Sequence, residues 1–314
     1  MTRLDQILPD TLVRVLRMIA TGYEHIPYRG HDDPYRSIYW MVGYRVGIDP
    51  PTIRAIMEGG DLPAVWRYRH FTVPKKDGSP RQLMEPGRDL KAAQRELLRR
   101  LNSLDPHPAA LGFREGLSIA DHAWTHAGAR TIITADIEDF FPSTQATRIY
   151  DFWVRQRWVY DEIAARFLTR LTTYRGGLPQ GAPTSPALSN LVNVGLDTKL
   201  AARARSAGAT YTRYADDLVF SWPDEGRPPA DFQHGVHAAL HEFGYRLQPR
   251  KGWRVWHRRD EPEVTGLILT RGGSVDIPDS MKALMQTLER TATTEEDFQR
   301  LAGYEGYRQM VVRE

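Results

Sequence analysis

The chain of 314 residues is 41% hydrophobic and 26% charged, a globular balance that excludes disorder as the main state and leaves room for one large or two ordinary domains. Its net charge of +3 is only mildly basic, so contact with a polyanion has to come from local clustering of cations. Cysteine is absent, which excludes disulfides, thiolate zinc sites and cysteine nucleophiles.

The amino terminus, MTRLDQILPDTLVRVLR, is interrupted by Arg3, Asp5 and Asp10 and carries no signal-peptide apolar core. Apolar positions at helical spacing (Leu12, Leu16, Ile19) predict helices through the first 60 residues, with a break at Asp49-Pro50-Pro51. From Tyr68 the pattern becomes a hairpin, HFTVPKKDGSPRQLMEP, turning at Asp77-Gly78. Asp89 is expected to cap a helix that places Leu90, Leu97, Leu98 and Leu101 on one side. Thr131 to Ala135 reads as a short apolar strand ending on Asp136. Ser143 suits an N-cap, with helical patterns following to about Thr173.

Gly176 to Leu196 runs 21 residues without a charge, yet Pro179, Pro183, Pro186, Asn190 and Asn193 make it unfit for lipid. A soluble, cytoplasmic protein with no membrane partner is expected. Leu188, Leu191, Val192, Leu196 and Leu200 predict one apolar helix face running out at Gly208. Tyr211 to Trp222 is a tight hairpin with two aspartates at its tip, and a helix through Phe232, Val236, Leu240 and Phe243 ends at Gly244. A strand, a turn at Arg271-Gly272-Gly273, another strand and two helices complete the chain. Strands separated by helices, with acids at strand ends, indicate an α+β palm-like layer.

RYADDLVFS, residues 213 to 221, is the strongest chemical signal. An isolated Asp-Asp pair in a hairpin is ordinarily a solvated turn. Here a further acid, Asp136 in TADIEDFFPS, stands at another strand end. Hard divalent ions take carboxylate oxygens together with substrate phosphates, and two-metal phosphoryl transfer needs two or three acids on adjacent strands. Asp136, Asp216 and Asp217 are the minimum set for that work. In GLPQGAPTSPALSN the small residues Gly181, Ala182 and Ser185 would allow close approach of a template strand, with Gln180 offering an amide to an incoming nucleotide. Arg246, Arg250, Lys251, Arg254, Arg258 and Arg259, interleaved with Tyr245, Trp253 and Trp256, have the makings of an RNA contact. A solvated strand face with its tryptophans in the core fits the same pattern.

YADD after a strand, an upstream D-x-x-x-F-F and the intervening GLPQGAPTSP resemble the palm of reverse transcriptases from about Tyr68 to Gly266. The resemblance implies a right-hand fold of fingers (1–130, with early palm strands), palm (131–260) and thumb (261–314). It implies Asp136 and Asp216 as main ligands of two Mg²⁺ ions, with Asp217 assisting and Mn²⁺ as a substitute. Phe141 falls at the family's steric gate against a ribose 2′-hydroxyl, Lys75 and Arg81 at its triphosphate cations, and Lys251 at a lysine that protonates the leaving pyrophosphate. Gln248 stands where asparagine is common.

HPAALGFREGLSIADHAWTHAG is similar to the retron run ending in N-A-x-x-H, with Ala123 and His126 matching, His122 in place of asparagine and Leu117 where arginine is usual. Val264-Thr265-Gly266 matches the V-T-G at the start of the retron thumb, and LAGYEGYRQMV resembles a retron thumb helix. The retron likeness implies DNA synthesis on a cognate noncoding RNA, a stem-loop of which the thumb would grip, while Arg250, Trp253, Arg254, Arg258 and Arg259 of the basic cluster are the candidate RNA contacts. Synthesis would be primed from an RNA 2′-hydroxyl to give a branched RNA–DNA hybrid (msDNA). Deoxynucleoside triphosphates are the expected substrates, a toxin or effector protein a further partner, and anti-phage defence the role. The sequence stops soon after the thumb pattern, so neither an RNase H domain nor the maturase and endonuclease parts of an intron protein are expected. The competing readings are another defence reverse transcriptase, using a different RNA or no template, and an idle RNA-binding scaffold for a toxin.

Overall fold

A computed structural model describes residues 34–38, 48–74, 78, 80–159, 161–225, 228–249 and 252–313. The helices expected around Leu12, Leu16 and Ile19 lie outside these residues. The chain divides into two compact units, each drawn from separate stretches: residues 1–104 with 144–188, and 105–143 with 189–314.

In the first unit, Asp49-Pro50-Pro51 is a helix start. The Asp49 carboxylate accepts from the Thr52 N–H, and the prolines stand in the first turn of α1 (Pro50–Glu58), where no intrahelical donor is lost. Strands β1 (Tyr68–Pro74) and β2 (Pro80–Pro86) pair antiparallel as the hairpin pattern requires. Helix α2 (Arg88–Leu101) buries Leu90, Ala93, Leu97 and Leu101, but Gly87 is its N-cap, without a side-chain bond. Asp89 sits one residue inside the first turn, where its charge still complements the helix dipole. Two helices later in the chain, Ala146–Val154 and Glu162–Thr172, contribute the buried Trp153, Phe167, Leu168 and Leu171.

The second unit holds a four-stranded antiparallel sheet in the order β4-β5-β3-β6: β3 is Thr131–Asp136, β4 Thr210–Tyr214, β5 Asp217–Trp222 and β6 Trp253–His257. Side chains alternate across it, as strand geometry demands. Ile133, Ala135, Leu218 and Phe220 meet the helices Val194–Ser206 and Phe232–Glu242 on one face. Ile132 and Val219 meet, on the other, the helix Ile119–His126, a small sheet (β7 Glu263–Val264, β8 Leu267–Leu269, β9 Val275–Asp276) and the carboxy-terminal helices Asp279–Thr291 and Glu295–Val311.

Two further helix expectations change. Ser143 ends a single turn, Phe140–Ser143, and its hydroxyl donates to the Glu138 carbonyl, so the following helix begins after Gln145. The single helix expected from Leu188 to Leu200 is two, Ser185–Leu191 and Val194–Ser206. At the break the Asn193 amide donates to the Ser189 carbonyl and the Tyr245 hydroxyl, which holds the backbone out of the helix. Among the described residues no helix is long and apolar enough to cross a membrane.

Candidate active site

Strand β3 ends on Asp136, and the register of the sheet places Asp136 directly opposite Asp217 at the start of β5. Asp216 belongs to the two-residue tip that joins β4 to β5. The tip is tied to the end of β3, since the Ile137 N–H donates to the Asp216 carbonyl at 2.9 Å. On the other flank Gln248 N–H donates to the Asp136 carbonyl, and Glu138 N–H to that of Arg246, both at 2.8 Å. All three aspartates are half-buried. The sheet therefore brings together Asp136, Asp216 and Asp217 from strands 80 residues apart in sequence.

The tip itself is shaped by close backbone approach. Ala215 has φ +56, a left-handed conformation uncommon outside glycine. Segment 109–112 runs along the outer edge of β4: Arg213 N–H donates to the Ala109 carbonyl and Leu111 N–H to that of Arg213. A Cβ on Gly112 would lie 2.8 Å from the Ala215 nitrogen, so only glycine fits there. The Gly112 carbonyl in turn accepts from the buried Asn190 amide at 2.7 Å. Next to it Phe113 is 45% exposed, its ring 5.9 Å from Phe141 and 6.1 Å from Tyr214. Phe141 is half-buried and touches Phe140 as well, at 5.4 Å, so an aromatic shelf lies beside the acids. Burial pushes the Tyr214 phenol up from its ordinary pKa.

The donor set suits Mg²⁺. Among the described residues no three carboxylate or imidazole groups close into a cage. Magnesium does not require one: it is ordinarily held by one or two carboxylates, with water and substrate phosphates completing its octahedron. Asp136 and Asp216, with Asp217 beside them, are the residues that would hold it.

The remaining candidates fall in different places. Arg81 and Gln180 belong to the first unit. Arg81 is exposed on β2, opposite Val73. The Gln180 carbonyl accepts from the Met84 N–H, and a Cβ on Gly181 (φ +123) would lie 2.9 Å from the Met84 carbonyl oxygen. Gly181 thus lets its own loop lie against β2. Lys75, Arg250 and Lys251 lie outside the described residues.

The basic cluster separates by role. Arg254 and Arg259 are exposed, whereas the Arg258 guanidinium donates to the Ala127 carbonyl at 3.1 Å. Trp253 packs its ring 6.0 Å from Phe220 and 6.2 Å from Phe232, and Trp256 donates to Thr134 on the opposite face of the sheet.

Sequence reasoning passed over Gly112, Phe113, Asp197 and Arg213. Asp197 and Arg213 left a signal, because each is a charge at a position where helix or strand periodicity calls for an apolar residue. His122 and His126 are both buried. His126 bonds the hydroxyls of Ser221 on β5 and Thr212 on β4, and His122 lies 3.3 Å from the Thr265 hydroxyl. The retron-like run and the V-T-G thus meet through side chains.

The family profile for reverse transcriptase (RNA-dependent DNA polymerase) matches residues 73–269. The retron Mx162 reverse transcriptase of Myxococcus xanthus is 34% identical over 73% of this chain and 52% of its own length. For the retron Ec86 enzyme of Escherichia coli the figures are 40%, 71% and 68%, and for retron Mx65 of Myxococcus xanthus 34%, 78% and 62%. The chain therefore spans about half to two thirds of the length of these relatives. Apo telomerase from Candida tropicalis superposes with a TM-score of 0.50 over 81% of this chain and 56% of that one at 13% identity, a likeness of fold alone. With the profile spanning the whole aspartate sheet, and retron relatives 34–40% identical over 71–78% of the chain, the chain belongs to the reverse transcriptase family and, within it, to the retron reverse transcriptases.

Proposed function

We propose that the protein is an RNA-directed DNA polymerase, folded as fingers, palm and thumb, that copies a cognate structured RNA into single-stranded DNA. The observation that carries this reading is the in-register pair Asp136 and Asp217, with Asp216 fixed at the hairpin tip by the Ile137 N–H. The retron relatives support the finer statement that synthesis starts from an RNA 2′-hydroxyl, giving a branched RNA–DNA hybrid in anti-phage defence.

In this reading Asp136 and Asp216 hold two divalent ions and Asp217 assists. Ions held by these carboxylates would supply Lewis acidity, lowering the pKa of an attacking hydroxyl and offsetting charge on the phosphoryl oxygens. Phe141 excludes a 2′-hydroxyl from the incoming sugar by bulk. By family likeness Lys75 and Arg81 face the triphosphate, Gln180 faces the nucleotide, and Lys251 gives a proton to the leaving pyrophosphate. Exposed Arg254 and Arg259 offer cations to the RNA backbone, with Arg250, Arg258 and Trp253 nearby in the chain. Deoxynucleoside triphosphates, the noncoding RNA and a toxin or effector protein are the partners.

The test is to express the gene with its native flanking DNA and sequence the nucleic acid that copurifies, beside an Asp216→Ala preparation. Short DNA joined to one RNA through a 2′–5′ branch, present only in the wild type, is the expected result. Unbranched DNA would point to another defence polymerase. RNA alone in both samples would point to an RNA-binding scaffold.

A further inference from the structure

Beneath the aspartate tip lies a wholly buried ion pair. Arg213 and Asp197 are both 0% exposed. The guanidinium donates Nε to Asp197 Oδ1 at 2.8 Å and Nη2 to Oδ2 at 2.7 Å, and the Tyr211 hydroxyl donates to the same Oδ1 at 2.8 Å. The third arm, Nη1, donates to the Ala215 carbonyl at 3.1 Å. Burial works against the Arg213 charge, but the Asp197 carboxylate more than reverses this and holds the guanidinium above its ordinary range.

Stability alone is a poor reason for such a pair. Apolar side chains of similar volume commonly replace a buried ion pair at no loss, and this position on β4 faces an apolar core. An apolar residue could not supply three donors in one plane. Two of them anchor the guanidinium on the helix Val194–Ser206, and the third reaches the carbonyl of Ala215, the left-handed residue that immediately precedes Asp216. A backbone conformation of this kind persists only where its surroundings over-determine it. The guanidinium also lies 5.4 Å from the centre of the Phe140 ring, which stacks on Tyr245 at 5.7 Å and adjoins Phe141. One charge therefore touches both the aspartate tip and the base of the aromatic shelf.

We propose that Arg213 and Asp197 are positioning residues, whose buried fork fixes the Ala215 turn and thereby the direction in which Asp216 is presented. This rests on the assignment of Asp216 to the reacting centre. The effect expected is on turnover and on the metal requirement, because a displaced carboxylate weakens the reacting geometry while leaving the nucleotide contacts in place.

The test uses Arg213→Lys, which keeps the charge and loses the fork, and the paired variant Asp197→Leu with Arg213→Met, which removes both charges at similar volume. Primer extension on an RNA template is measured with both, beside Asp216→Ala. Both variants should fold, with melting temperatures lowered by no more than about 10 °C, since the paired variant leaves the Tyr211 hydroxyl and the Ala215 carbonyl without these partners. Each should lose kcat on the order of 10- to 100-fold, the scale of a small misplacement. KM for the deoxynucleotide should stay within about threefold, and half-saturating Mg²⁺ should rise by at least about threefold. Wild-type kcat and Mg²⁺ requirement in the paired variant would overturn the proposal. So would failure of both variants to fold, which would make the pair a folding element. If Asp216→Ala itself retains synthesis, the assignment of the site fails; if it is inactive while the paired variant is normal, the positioning role alone fails.

Discussion

Acid should weaken the aspartate-bearing unit through its two buried imidazoles, and His122→Asn should remove part of that sensitivity. His122 is fully buried, faces the rings of Tyr214 and His126 at 5.7 Å each, and its Nε2 meets no hydrogen-bond partner among the described residues. Burial pushes its pKa from 6.5 to about 3. His126 is pushed far down as well, by burial first and by the neighbouring imidazole second. In the unfolded chain both rings take up protons below about pH 6.5, while in the folded chain they stay neutral. Unfolding then binds protons, so the stability is complete above that pH and is lost progressively as the pH falls towards the folded values. The His122 ring contributes a slope of about 1.4 kcal/mol per pH unit. For His122 that amounts to about 2 kcal/mol between pH 6.5 and 5, and His126 adds to the loss in the same direction. Urea unfolding of wild type and His122→Asn at several pH values measures it. The substitution installs the residue usual in the retron motif and removes one titrating group. The two proteins should therefore differ in slope by about 1.4 kcal/mol per pH unit below pH 6, whatever the carboxylates add to both. Parallel slopes would refute the buried, neutral His122.

Two further outcomes are expected. Phe141→Ala should raise the kcat/KM for ribonucleotides relative to deoxynucleotides by at least about tenfold, since it removes the bulk at the edge of the aromatic shelf; an unchanged sugar preference in primer extension would place the gate elsewhere. Trp153 is 0% exposed, yet its ring nitrogen has no hydrogen-bond partner among the described residues. Trp153→Phe should therefore cost under about 1.5 kcal/mol and Trp153→Ala about 3–5 kcal/mol in chemical unfolding, and equal losses in the two would mean that the nitrogen matters more than the ring volume.

Much of the second unit was legible before its structure. The strand ending on Asp136, the hairpin, the helix stopping at Gly244 and the final strands and helices all appear where pattern and turn chemistry placed them, although only Asp216 of the aspartate pair lies in the tip and Asp217 already opens β5. Those features are set by residues within a few positions of one another, where alternation, helical spacing and glycine leave a readable trace. The misplaced boundaries have equally local causes that compete closely. Gly87 outranked Asp89 as a cap, and the bonds of Asn193 to Ser189 and Tyr245 divided a helix that its apolar stripe ran straight through.

Chemical identity, too, was carried by the sequence, because an acid at a strand end and an Asp-Asp tip stay recognisable whatever surrounds them. Tertiary structure alone decided which strands lie side by side, and so that Asp136 faces Asp217. It also brought Gly112 and Phe113 against the tip, joined Asp197 to Arg213, and assembled each unit from separated stretches of chain. Those outcomes depend on the packing free energy of residues far apart in sequence. A charge such as Asp197 looks misplaced on its helix until the partner that satisfies it arrives from another strand.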